Sequence, residues 1–395
     1  MLFSNSSWLV DTLNILHIYK DYFPVVGGIE NHVRILAETQ VSAGHTVSVI
    51  VCNPGRTTQR EYLNNVAVLK SGRIGTVASM PLSFTHPFNI MRRKADIVHV
   101  HSPYPLGELS AWIFKYHTPT IMTYHSDVVQ QKKILYLYGP FFKHILNHVQ
   151  AIIATSPRYV ESSPWLAPFK DKCHVVPLGV DPQVFKPPEN KIAIPSTSNR
   201  LLFVGKLRYY KSLDTLLHAL VMLPDVTLTI VGDGPMKSKW EDISQKTGIA
   251  NRVFFLGEMP DADLPAIYHN ADLFVLPANS RAEAFGTVLL EAMASGLPCV
   301  TTEVGTGTSW LVKNGITGAV VPPDDPVSMA EIIRALLAAP GRLNWMGRNG
   351  RARIEAAFTT TMMVNGVMNV YRDILQTSKC LCAPVSGNIC GTGHV

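Results

Sequence analysis

The chain has 395 residues, 47% hydrophobic and 16% charged, an ordinary globular composition that at about 150 residues per domain predicts two domains, each with its own core. No apolar run approaches the roughly 18 residues of a membrane span, and Met1-Leu2-Phe3-Ser4-Asn5-Ser6-Ser7 lacks the basic start and apolar core of a signal peptide, so the expected location is the cytoplasm. Lysine and arginine number 35 against 29 acidic residues, and residues 1–190 hold 17 basic against 12 acidic side chains. That asymmetry points the first half towards an anionic acceptor or the inner face of a membrane, and no nucleic-acid motif accompanies it.

Near-continuous apolar runs of strand length recur from the start: Asn14–Ile18, Thr46–Val51, Ile97–Val100, Thr120–Thr123, Ala151–Ala154 and Cys173–Val176. Runs without polar alternation predict strands covered on both faces, hence a parallel, doubly wound sheet with longer helical stretches between. Between the first two runs, Val25-Val26-Gly27-Gly28-Ile29-Glu30 opens a helix, and its glycines let the loop pass close to a phosphate or sugar. Residues 53–95 read as loops. His125, in Thr123-Tyr124-His125-Ser126-Asp127, follows another strand at the same edge, where it can hydrogen-bond a sugar hydroxyl with Asp127 orienting it. The basic-flanked, aromatic stretch Ile134–Leu146 suits either an interfacial membrane helix or core packing.

Proline and serine between Phe185 and Asn199 mark a linker. Beyond it a second series of runs begins: Leu201–Val204, Val226–Val231, Val253–Leu256, Leu273–Leu276, Cys299–Thr301 and Ala319–Val321. The expected organisation is a first domain over 1–185, a linker over 186–199 and a second domain over 200–359. A ligand cleft is expected at the carboxyl ends of the two facing sheets.

The second half carries the denser chemistry. Val204-Gly205-Lys206-Leu207-Arg208-Tyr209-Tyr210-Lys211-Ser212 leaves a strand with three cations, of which Lys206 and Lys211 are the expected diphosphate clamp. Val231-Gly232-Asp233-Gly234-Pro235 is a strand-end loop, too short for a dinucleotide fingerprint. In Asp261-Ala262-Asp263, the second aspartate reads as a helix N-cap rather than a metal ligand. Arg281-Ala282-Glu283-Ala284-Phe285-Gly286-Thr287, followed by Val288-Leu289-Leu290-Glu291, places two carboxylates around a glycine that opens a helix. The first N–H groups of that helix, around Gly286 and Thr287, would draw in a phosphate. Glu291, set in an apolar stretch where an unpaired carboxylate is costly, suits a vicinal diol such as ribose. The six cysteines form no disulfide framework, and Cys380, Cys382, Cys390 and His394 fall in a frayed tail over 378–395.

Together these residues resemble the retaining glycosyltransferases of the GT-B fold, family 4, which includes phosphatidylinositol and O-antigen mannosyltransferases. The likeness runs from Gly27-Gly28 to Val321-Pro322-Pro323-Asp324-Asp325, with Glu283-x-Phe285-Gly286-x-x-x-x-Glu291 its most specific part. It implies two facing Rossmann-like α/β domains, a nucleotide-sugar donor (GDP- or UDP-linked), a glycan or lipid-linked acceptor and no metal or other cofactor. Glu283 would then contact the sugar hydroxyls, Glu291 the ribose, Lys206 and Lys211 the diphosphate, and His125 the sugar from the acceptor domain. Gly27, Gly28, Gly205, Gly232, Phe285, Gly286 and Thr287 would line the donor site, with the backbone near Leu256 and Glu258 at the base. A last helix over about 360–377 would cross back to the first domain. The family usually has arginine at Lys206 and glycine at Ser212, and Val304-Gly305-Thr306-Gly307-Thr308-Ser309-Trp310 resembles the form in surface-polysaccharide mannosyltransferases, tilting the donor towards GDP-mannose. A nucleotide-sugar epimerase of similar layout and a non-catalytic nucleotide-sugar binder remain alternatives.

Overall fold

The structure, a computed structural model, describes residues 12–25, 27–77, 80–127, 132–187 and 199–382. The first sheet takes β1 (Asn14–Ile18), β2 (Thr46–Cys52), β3 (Gln59–Leu63) and β4 (Val66–Ser71); a small hairpin, β5 (Gly75–Val77) and β6 (Met80–Leu82), precedes β7 (Ile97–Ser102), β8 (Thr120–Tyr124), β9 (Ala151–Ala154) and β10 (Cys173–Val175). Its order is β10-β9-β8-β7-β1-β2-β4-β3, parallel except for the antiparallel β3–β4 edge. The second sheet takes β11 (Asn199–Val204), β12 (Val226–Val231), β13 (Val253–Gly257), β14 (Leu273–Leu276), β15 (Cys299–Thr302) and β16 (Gly318–Val321), in order β13-β12-β11-β14-β15-β16 and all parallel. Strands such as β7, β8 and β14 are buried along their whole length, as expected when helices cover both faces of a parallel sheet.

Residues 53–95 are more ordered than the sequence led us to expect. They hold β3 to β6 and a helix, Thr85–Arg92. The signal was Asn64-Asn65, both at positive φ (48° and 66°), a two-residue turn whose handedness matches the twist of the strands it joins. Val66-Ala67-Val68-Leu69 then pairs with β2.

The helix Lys132–His148 divides its apolar residues between two faces: Phe142, Ile145 and Leu146 are buried, whereas Tyr136, Leu137 and Phe141 are exposed. Among the described residues no helix is long and apolar enough to cross a membrane. The chain returns to the first half at Val180, which exchanges backbone hydrogen bonds with Phe358 (2.9 Å) and Thr360 (3.0 Å). From there the last helix, Thr360–Cys382, buries Val364, Val367, Val370 and Tyr371. It runs five residues past the expected end at 377 and so includes Cys380 and Cys382, while Cys390 and His394 lie outside the described residues.

Candidate functional site

Two helix N-termini meet across the cleft. The helix Thr287–Ala294 starts from Gly286, whose φ of +77° is a left-handed conformation that suits glycine. Opposite it the helix Gly28–Ser42 starts from Gly27, and a Cβ added to Gly28 would stand only 3.6 Å from the Thr287 hydroxyl. Neither start carries a side-chain cap, so both leave free N–H donors and a positive dipole end facing the gap. Gly28, Thr287 and Glu291 line one cavity of about 400 Å³ together with His32, Arg34 and Asp261.

The second half also holds a buried ion pair. Lys211 Nζ lies 2.6 Å from Glu283 Oε2, with both side chains about nine-tenths buried. Burial alone would lower the Lys211 ammonium, but the Glu283 carboxylate, with Tyr210 and Glu291 nearby, outweighs it and the net shift is upward. Gly205 packs against the lysine tip, 3.3 Å from Nζ to a Cβ placed there. Gly232 packs so tightly on the Gly205 carbonyl that any side chain would collide with it. Lys206 and Arg208 are exposed, as are Leu256 in β13 and Glu258 just after it.

Glu291 is held differently. Its Oε2 accepts a 2.7 Å hydrogen bond from the Tyr268 hydroxyl. Burial raises its pKa to about 7; the Tyr268 bond and Lys211 pull down, and Asp261 adds to the rise.

Three expectations take a different form in the structure. The Phe285 side chain is 3% exposed and turned into the core towards Trp310, so a ligand at this position would meet the backbone. Asp263 stands at the start of the helix Leu264–His269 but makes no side-chain cap bond. Asp127 does not orient His125: its Oδ1 accepts from Tyr124 (2.7 Å) and Ser163 (2.8 Å), and its Oδ2 reaches across the cleft to Arg281 Nε at 2.9 Å.

Arg281 escaped sequence reasoning although it opens the motif. Besides Asp127 it donates to Ser162 Oγ (2.9 Å) and the Gly305 carbonyl (3.1 Å), and its guanidinium lies 5.0 Å from the Tyr159 ring centroid. Beside it Arg158 pairs with Glu303 and donates to Ser309 Oγ at 2.8 Å. These contacts clasp the two halves at one end of the cleft.

The Ser212 departure has a local explanation. Ser212 adopts φ +46°, ψ 43°, a region where glycine is favoured. Its hydroxyl is held by Thr215 Oγ1 (3.0 Å) and Asp324 Oδ1 (3.1 Å), bonds that glycine could not make.

His125 is buried and its Nε2 lies 3.1 Å from His101 Nδ1. Behind it His17, His32 and His99 complete a cluster of five imidazoles within ring contact. Register builds this cluster: β1 and β7 pair His17 with His99, and the two-residue strand period puts His101 on the same face as His99.

Residues 26–184 match the family described as Glycosyltransferase Family 4, and residues 186–353 match Glycosyl transferases group 1. The chain is 32% identical over 373 residues to the O-antigen chain mannosyltransferase C of Escherichia coli, covering 93% of this chain and 100% of that protein. It is 34% identical over 363 residues to the D-rhamnosyltransferase WbpZ of Pseudomonas aeruginosa, covering 88% and 92%. Among solved structures, a sucrose-phosphate synthase from Thermosynechococcus elongatus superposes with a TM-score of 0.78 at 22% identity, over 92% of this chain and 99% of that one. Anabaena HepE in complex with UDP and glucose superposes with a TM-score of 0.74 at 17% identity, over 91% and 100%. Both share the two-domain GT-B fold.

Proposed function

The chain belongs to the group 1 and family 4 glycosyltransferases, and on that footing we propose that it transfers a hexose, best read as mannose from GDP-mannose, to a glycan or lipid-linked acceptor in surface polysaccharide or glycolipid synthesis. The observation that carries this reading is the meeting of two uncapped helix N-termini at Gly28 and Thr287 above a cavity that holds Glu291. Such a place suits a diphosphate with a ribose beside it. The mannosyltransferase among the relatives supports the sugar assignment, and the rhamnosyltransferase marks the alternative.

In the proposed reaction the bond between the sugar's anomeric carbon and the diphosphate oxygen breaks, and the electron pair leaves with the nucleoside diphosphate. The acceptor oxygen bonds to the anomeric carbon from the same face, retaining configuration, and its proton passes to the departing phosphate oxygen. Lys211, with the exposed Lys206 in support, offsets the charge growing on the diphosphate, and the Gly286–Thr287 helix start donates N–H groups to it; on this reading no metal is required. Glu283, fixed by Lys211, holds the sugar hydroxyls from one side and His125 from the other. The exposed Tyr136, Leu137 and Phe141, in a half of net positive charge, suit a protein that works against the inner membrane face.

Incubation with GDP- and UDP-hexoses tests the reaction class. Release of nucleoside diphosphate that depends on added acceptor supports transfer. Isomerised nucleotide sugar without acceptor would make the protein an epimerase, and binding without turnover would make it a binder. Glu283→Gln should lower turnover about 100-fold while nucleoside diphosphate affinity measured by calorimetry stays within about threefold. Glu291→Ala should weaken that affinity about tenfold.

A further inference from the structure

The five-histidine cluster is not a random polar pocket, because three of its rings are hydrogen-bonded in one line. Gln40 Oε1 lies 2.8 Å from His17 Nε2, His17 Nδ1 lies 3.0 Å from His101 Nε2, and His101 Nδ1 lies 3.1 Å from His125 Nε2. His17, His99 and His101 are fully buried, and His125 keeps 5% of its surface, so within this line any solvent contact is at the His125 end. Burial pushes His17 down to about 4 and His101 and His125 well below the usual imidazole range, so at neutral pH each ring carries one N–H and one bare nitrogen.

One end of the line fixes the rest. The Gln40 amide nitrogen sits 3.6 Å from Met368 Sδ and 3.4 Å from the Tyr371 hydroxyl, both on the last helix. A thioether sulfur only accepts, so the amide N–H side must face it and the amide oxygen must face His17. Tyr371 is in turn 2.7 Å from His99 Nδ1, and His99 Nε2 is 2.6 Å from Thr123 Oγ1. With the tyrosine hydroxyl donating to His99 and His99 Nε2–H donating to Thr123, Tyr371 is left free to accept from Gln40.

We propose that Gln40, held by Met368 and Tyr371 of the last helix, sets the tautomer of the cleft histidine through this line, so that His125 carries its proton on Nε2 and keeps Nδ1 bare as a hydrogen-bond acceptor. Because Gln40 presents an acceptor, His17 carries its proton on Nε2 and accepts on Nδ1. His101 therefore donates from Nε2 and accepts on Nδ1, and His125 must donate from Nε2. The cleft histidine then takes a hydrogen bond from a sugar hydroxyl instead of giving one. Gln40, His17 and His101 are positioning residues that never touch the donor, and this assignment of their purpose rests on the reading of His125 as a donor-sugar contact. The chemical class recognised is a hydroxyl free to donate, which a hexose offers and an ether or acetylated position does not.

The test reads the tautomer directly. Long-range proton–nitrogen correlation spectra of the ¹⁵N-histidine-labelled full chain at neutral pH should show His125, identified by its loss in His125→Ala, as a single Nε2–H tautomer. An Nδ1–H tautomer in the unaltered protein overturns the proposal without any variant. Gln40→Leu removes the acceptor and puts an apolar side chain, about one atom shorter, in its place. It should replace the single pattern by a mixture of tautomers and lower kcat about 5- to 30-fold with nucleoside diphosphate affinity unchanged. A folded Gln40→Leu protein whose His125 spectrum matches the parent also overturns it. The sugar-contact reading fails separately: if His125→Ala leaves donor kinetics unaltered while the Nε2–H tautomer is observed, the proton order stands and the sugar contact does not.

Discussion

The two halves share an architecture, but the polar clusters described above are of different kinds. Beneath the first sheet's carboxyl edge lie imidazoles, kept neutral by burial and joined end to end. At the same edge of the second sheet lie a lysine and a carboxylate paired at 2.6 Å, flanked by a second carboxylate poised near neutrality. Neutral rings can be buried if each nitrogen finds a partner, whereas buried ions must find each other. The difference matches what each side faces in the proposed reaction: a hydroxyl-rich sugar needs directional neutral partners, and a diphosphate needs fixed positive charge. His32 stands apart within the five-ring cluster. Both its ring nitrogens are buried without a partner, yet it lines the cavity, where a bound donor would supply one.

Breaking the ionic half should have the largest effect. Lys211→Met leaves Glu283 buried without its cation, at a cost of about 3–5 kcal/mol in unfolding free energy. Turnover should also fall by about 100- to 1000-fold. Denaturant unfolding and steady-state nucleotide release read the two losses; retention of both would mean that the pair carries neither fold nor chemistry.

Next comes the clasp that brings the two kinds of group together. Arg281→Ala removes charge-assisted bonds to Asp127 and Ser162, and such bonds contribute about 1.5–3 kcal/mol each. The halves should spend more time apart, with a larger radius of gyration in small-angle scattering and kcat/KM lower by about tenfold.

Titration of Glu291 is a subtler probe. With its pKa raised to about 7, the folded state favours the neutral acid. The stabilisation this gives is present below the unfolded pKa, near 4.5, and is lost as pH rises through 7. Glu291→Gln should therefore match the parent's melting temperature at pH 5 and exceed it by about 2–4 °C at pH 8. Nucleoside diphosphate affinity of the parent should weaken by a few-fold as pH drops from 8 to 6, because protonation removes an acceptor for the ribose diol, and the variant should lose that dependence.

Ser212→Gly should change least. Relief of the left-handed strain and loss of the bonds to Thr215 and Asp324 oppose each other, each near 1 kcal/mol. A melting shift beyond about 3 °C would show that one of them dominates.

Element type was legible because it is written locally. Unbroken apolar runs marked most strands of both sheets, and the glycine before Thr287 marked a helix start whose N–H groups face the cleft. Residues 53–95 were misread as loops since β3 is an exposed edge strand with a polar sequence, Gln59-Arg60-Glu61-Tyr62-Leu63, and only the Asn64-Asn65 turn betrayed it. Phe285 makes a related point: a motif position says which residue is present, not which way its side chain turns.

The sequence by itself therefore determined two parallel α/β halves, the glycine-started helices and the carboxylates around them, since periodicity and backbone freedom act over a few residues. Only the tertiary structure decided that Lys211 meets Glu283, that Arg281 reaches Asp127, and that residues as distant as Gln40 and Tyr371 close one hydrogen-bonded line on His125. Those pairings depend on strand register and on the last helix crossing back to the first sheet. Geometry of that kind is fixed by packing across the whole chain, and no local pattern encodes it.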